Sequence, residues 1–183
     1  KALELDTKGS NSKSVKIKLT LLTNALTNQA INAFQAEDYN KALSTFEQIL
    51  EVNNMPIVKE DNPEAVDTVI IFNAGLAAYN GEDYEKAVKY YRESAKYGYN
   101  GARTYNLISA SYQMMKDTTA ALGALQEGYE KYPNDNPILE SLIQIYMDLD
   151  KTDEALANLD KAIKQVPSNP RYYFAQGALF EKL

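Results

Sequence analysis

Asp148, Asp150 and Thr152 stand at the alternating spacing by which a calcium loop gathers oxygen ligands. The set fails at its two most demanding places. Asp153 occupies the sixth position, where the sharp turn needs Gly, and Leu159 occupies the twelfth, where a bidentate Glu would close the cage. These residues read as a polar turn. The acidic pairs Glu37–Asp38 and Glu82–Asp83 offer carboxylates, but they also sit at turn positions, and nothing suggests a buried acid beside a base. The 183 residues contain no His, no Cys and no Trp. That removes imidazole bases, Ser-His-Asp triads, thiol nucleophiles, disulfides and thiolate zinc sites. No glycine-rich phosphate loop is present. The expectation is a chain that is not an enzyme and needs no metal and no cofactor.

Charge narrows the partners. The net charge is −6, with 19 Lys and Arg against 25 Asp and Glu. Only Arg92, Arg103 and Arg171 carry guanidinium groups. Nucleic-acid surfaces cluster Lys and Arg, so no nucleic acid is expected as a partner. The charge is uneven: residues 1–22 carry five Lys against Glu4 and Asp6. No apolar run approaches the roughly 20 residues of a membrane span, and none is longer than Val69–Phe72, so no membrane insertion is expected.

The elements that would position any surface show up as a repeat. Ala42, Ala87, Ala121 and Ala155 each precede a bulky residue by four: Phe46, Tyr91, Leu125 and Leu159. The last three Ala are 34 residues apart, and the first interval is 45. Twelve residues before each Ala stands Ala30, Gly75, Ser109 or Ile143, of which three are small. Apolar residues fall three and four apart within each half, so each period is two amphipathic helices joined by a turn. Asn62-Pro63, Asn136-Pro137 and Asn169-Pro170 read as helix starts, with Asn as N-cap and Pro next, and Asn100-Gly101 marks a further boundary. Asp38, Asp83 and Asp117 precede the second helices, where a carboxylate can accept from free amides.

A 34-residue helix–turn–helix period with this small-and-large pattern resembles the tetratricopeptide repeat (TPR) family, over nearly the whole chain. The family's usual Trp is replaced by Leu26, Ile71, Tyr105, Leu139 and Tyr173. The resemblance implies an all-α fold, a right-handed superhelical solenoid of antiparallel helix pairs. Its expected division is a second-helix tail (1–9), a lead-in that extends the next helix (10–22), a repeat (23–54), an insertion loop (55–67) expected to project from one rim, three repeats (68–101, 102–135, 136–169) and a first helix alone (170–183). With both ends inside a repeat, the chain is expected to be an interior piece of a longer bacterial TPR-domain protein. The Lys-over-Arg bias and the abundance of Asn and Tyr resemble bacterial envelope-associated TPR proteins. They favour a periplasmic or envelope-associated location over the cytoplasm.

The family binds partners in a concave groove lined mainly by first helices. Carried onto this sequence, the groove candidates are Ile31, Phe34, Val69, Phe72, Leu76, Tyr79, Asn80, Arg103, Asn106 and Gln113. They run from apolar to polar along the chain, which suits an amphipathic or extended peptide. The competing reading is that Ile31, Phe34, Phe72 and Leu76 are covered by the long first helix or by neighbouring repeats. The family's clamp for a C-terminal carboxylate is not rebuilt. Asn73 matches its middle place, but Thr27, Ile31, Arg103, Thr104 and Leu107 do not supply the rest. The expected function is a non-catalytic scaffold binding a protein or peptide partner. The alternative is an architectural segment, a homo-oligomer joined through its truncated ends or part of a larger envelope-associated assembly, with no peptide ligand.

Overall fold

The computed structural model describes residues 10–181, so the expected tail at 1–9 lies outside them. Among the described residues every regular element is a helix. They fall into two compact units that meet in sequence at Tyr97 and Gly98.

The first unit holds α1 (Ser10–Gln35), α2 (Tyr39–Asn53), α3 (Pro56–Lys59), α4 (Thr68–Asn80) and α5 (Tyr84–Lys96). Here α1 packs on α2, α2 on α4, and α4 on α5. The second unit holds α6 (Ala102–Met114), α7 (Thr118–Lys131), α8 (Asn136–Asp148), α9 (Thr152–Gln165) and α10 (Pro170–Phe180). Each of these packs on the next, and α6 also touches α8.

Small residues set how closely the helices approach. Ala30, Ala42, Ala87, Ala121 and Ala155 are fully buried, and so are their bulky partners Phe46, Tyr91, Leu125 and Leu159. A Cβ added to Gly75 in α4 would lie 2.8 Å from the Tyr91 ring of α5, so the ring occupies the space a side chain would need.

Within each pair one turn is reused four times. Glu37, Glu82, Lys116 and Asp150 adopt left-handed backbone with φ of 60°, 63°, 62° and 53°. The following residue then closes the first helix: Asp38, Asp83, Asp117 and Lys151 each donate their amide to a carbonyl five residues back at 2.9 Å. That is the Schellman pattern. In the first three turns the same residue also caps the second helix. Its carboxylate accepts from the amide of Lys41 (3.2 Å), Lys86 (3.1 Å) or Ala120 (2.9 Å).

The fourth turn lacks this device. Lys151 has the same backbone (φ −86°, ψ 71°) but its side chain makes no cap, and it puts a cation at the positive end of α9. Lys151→Asp should therefore stabilise the protein by about 1 kcal/mol, raising the melting temperature by roughly 2–4 °C. Thermal denaturation followed by circular dichroism checks this, and an unchanged or lower midpoint would contradict it.

Two expected helix starts are corrected. Asn62-Pro63 lies in the inserted loop and starts no helix. The cap of α4 is Asp67, which accepts from the Ile70 amide at 3.0 Å. In α8 the cap is Asp135, one residue earlier than expected, and Asn136 is already helical. An Asp carboxylate one residue or more away displaced the Asn in both cases, since either side chain can accept from a free amide. At α10 the expected cap holds: Asn169 accepts from the Arg171 amide at 3.1 Å.

The insertion does not project freely from a rim. It contains the single turn α3 and is held to α1 by Lys16, whose ammonium lies 2.9 Å from Glu60 and 2.8 Å from Asp61. Asn53 of α2 donates to Asp67 at 3.4 Å. Side chains of Val58 and Leu19 line the small gap beneath it.

Candidate functional site

The first unit contains an apolar cleft of about 180 Å³. Helical spacing builds it. Ile31, Phe34 and Gln35 project from one face of α1, Asn73 and Leu76 from one face of α4, and Phe46 of α2 also lines it. Ile31 is 41% exposed, while Phe34 and Leu76 are half-buried. The Phe34 ring meets Tyr39 edge-on at 5.2 Å, which fixes one wall. The side-chain amide of Asn73 has no hydrogen-bond partner among the described residues, so its donors and acceptor remain available at the cleft.

Polar contacts tie α2 to α5 in the same unit. Glu47 lies 2.9 Å from the Lys86 ammonium and accepts from the Tyr90 hydroxyl at 2.8 Å. Burial pushes the Glu47 carboxyl up, but the hydrogen bonds from Lys86 and Tyr90 outweigh it and hold the group below the usual carboxylate range. The Tyr90 hydroxyl is raised by burial and by its bond to Glu47. These groups form a structural bridge, and none of them lines the apolar cleft.

The ten groove candidates separate. Ile31, Phe34 and Leu76 come together in the cleft. Val69 is exposed on α4 but does not line it. Tyr79 packs edge-on against Tyr84 at 5.6 Å, and Asn80 donates back to the Leu76 carbonyl at 2.8 Å.

Phe72 must be corrected. It is only 4% exposed and packs against the Tyr91 ring at 5.5 Å. Helix α4 is apolar on nearly every side and is packed by both α2 and α5, so the face carrying Phe72 points into the core.

Arg103, Asn106 and Gln113 belong to the second unit. Arg103 and Gln113 are exposed, Asn106 is half-buried, and Gln113 reaches Ser109 at 3.5 Å. Three lining residues, Gln35, Phe46 and Asn73, were not among the ten candidates. Phe46 has the signature of a packing residue, and Asn73 bore only on the carboxylate clamp. The three-residue step from Asn73 to Leu76 on one helix face is the signal that pairs them.

A family model described as a tetratricopeptide repeat matches residues 72–136, and one described as a TPR repeat matches residues 144–183. Together they take in more than half of the chain. The chain is a tetratricopeptide repeat protein. Proteins of this family are in general non-catalytic scaffolds for protein partners.

Solved structures agree on the fold. MamA shares 16% identity over 87% of this chain and 81% of its own, with a TM-score of 0.62. A TPR repeats protein from Bacteroides fragilis shares 23% identity over 86% of this chain and 70% of its own, with a TM-score of 0.63. YrrB, described as a TPR protein with an unusual peptide-binding site, shares 16% identity over 86% of this chain and 75% of its own, with a TM-score of 0.59. No curated protein sequence matches the TPR chain significantly. No described helix is long and apolar enough to cross a membrane.

Proposed function

We propose that this TPR protein is a binding scaffold whose α1/α4 cleft receives an apolar side chain of a peptide or protein partner. The observation that supports it most is the cleft itself. Its apolar walls are open to solvent beside the unbonded amide of Asn73. A volume of about 180 Å³ suits one large aliphatic or aromatic side chain. Asn73 and Gln35 would then meet the main chain of the bound segment, the division of labour usual in peptide grooves. YrrB gives the reading a precedent on the same fold.

The test is selection of binding peptides from a displayed random library, followed by titration. Ile31→Asp and Leu76→Asp should each weaken binding at least about tenfold while leaving the helical circular dichroism unchanged. Unchanged affinity in both variants would overturn the assignment.

A second reading, self-assembly, rests on α10. Phe174 is 81% exposed, and Tyr173 and Phe180 are also open to solvent on this single helix. Three exposed aromatic rings on one helix suit a protein interface. Light scattering should show mass rising with concentration, and Phe174→Asp should abolish the rise. A constant monomer mass in the wild type would dismiss this reading.

A further inference from the structure

The longer first period has a structural consequence that the apolar cleft does not use. Residues 55–67 form a built wall and not a loose loop. Lys16 pins Glu60 and Asp61. The Lys59 ammonium donates to the Ala65 carbonyl, and the Ala65 amide donates to the Asn62 carbonyl at 3.1 Å. Between this wall and the second helices α2 and α5 lies a separate cleft of about 570 Å³, within the range of small-ligand and peptide sites. The 34-residue periods, which lack the insertion, cannot build such a wall.

Its lining combines three kinds of group. Leu50, Val66 and Ile71 supply apolar surface. Lys89 on α5 makes no salt bridge among the described residues; its ammonium lies over the Tyr90 ring at 5.1 Å, and Glu47 of α2 feels its charge from a distance. Glu64 on the insertion likewise has no charged partner among the described residues. A cation and a carboxylate, neither of them in a salt bridge, therefore stand on different walls of one cleft.

We propose that this second cleft binds a short polypeptide segment in which an aliphatic side chain is flanked by an acidic residue on one side and a basic residue on the other. The aliphatic group would cover Leu50, Val66 and Ile71, the acidic group would meet Lys89, and the basic group would meet Glu64. Complementary charges at both ends fix direction as well as position. A polyanion is disfavoured because it would meet Glu64 and Glu93. A neutral sugar could stack on Tyr97, which is 51% exposed, but would bring no charge to either Lys89 or Glu64.

The test is an array of amidated heptapeptides with Leu at the centre and every combination of Asp, Lys and Ala at the flanking positions, probed with the whole chain. Peptides with one acidic and one basic flank should bind best. Lys89→Glu should weaken them about tenfold and shift the preference to peptides with two basic flanks. Leu76→Asp, in the α1/α4 cleft, should change neither result, so failure here is distinguishable from failure of the proposed function. Lys89 is exposed, so Lys89→Glu should keep its helical circular dichroism, which is the control that separates lost binding from lost folding. Flank-independent binding, an unaltered preference in Lys89→Glu, sensitivity to Leu76→Asp, or capture of neutral oligosaccharides in place of peptides would each overturn the proposal.

Discussion

Phe72→Asp should unfold the first unit, whereas Leu76→Asp should leave it folded. The two residues are one helical turn apart on α4, and the family pattern assigns both to a groove. Phe72 is 4% exposed and shares its space with Tyr91, which is fully buried. The substitution removes an aromatic side chain from the core, worth roughly 3–5 kcal/mol by analogy with Phe→Ala. It also puts a carboxylate into buried space against the Tyr91 ring, which adds further cost or forces the group to take up a proton. The total, at least about 4 kcal/mol, is comparable to the whole stability of a domain of this size. Leu76 borders open space, so an Asp there can turn to water. Urea denaturation of the two variants gives the answer. A midpoint for Phe72→Asp equal to that of Leu76→Asp would show that Phe72 is not in the core.

Gly128→Ala and Gly123→Ala should act in opposite directions although both lie in α7. Either change raises helix propensity by about 1 kcal/mol. At Gly123 a new Cβ meets nothing within 4 Å, so that gain stands alone. At Gly128 the new Cβ would lie 2.6 Å from Tyr105 Cβ and 2.7 Å from Ile138 Cδ1. The Ile138 methyl is the end of a flexible chain and can swing away. The Tyr105 Cβ sits next to its backbone, so α6 itself would have to retreat from α7. Overpacking of this kind costs about 1–3 kcal/mol, and the clash here falls at the upper end because the obstacle is rigid. Gly123→Ala should raise the melting temperature and Gly128→Ala should lower it. Two shifts of the same sign would mean that α6 and α7 are less tightly apposed than the contact distances state.

The contrast between these pairs shows what was legible along the chain. Ala42, Ala87, Ala121 and Ala155 are informative because packing a helix against its neighbour demands a small residue at the same place in every period. Repetition makes a local steric rule visible. The turn caps Asp38, Asp83 and Asp117 are legible for a similar reason, since the bond is made within three residues. Asn62-Pro63 failed because the same local signal occurs in a loop held by other contacts. Asp67, five residues later, had the better position for capping α4.

The cleft was only partly legible. Ile31, Phe34 and Leu76 could be proposed from their register, but Phe72 has the same chemistry and the same kind of register. What separates it is a third party: the Tyr91 ring of α5, together with the packing of α2 on the far side of α4. Asn73 gained its place only when α1 and α4 were seen to share one opening.

The sequence by itself determined the helical class, the repeat, the four reused turns and the residues small enough for close approach. Each of these depends on neighbours within one helix pair, and spacing records such relations directly. The tertiary structure alone decided which apolar side chains stay open, that the insertion folds back as a wall, and that Gly128 is squeezed between Tyr105 and Ile138. Those outcomes depend on how separate helices meet in space. Exposure is a property of that meeting, and no single segment of the chain contains it.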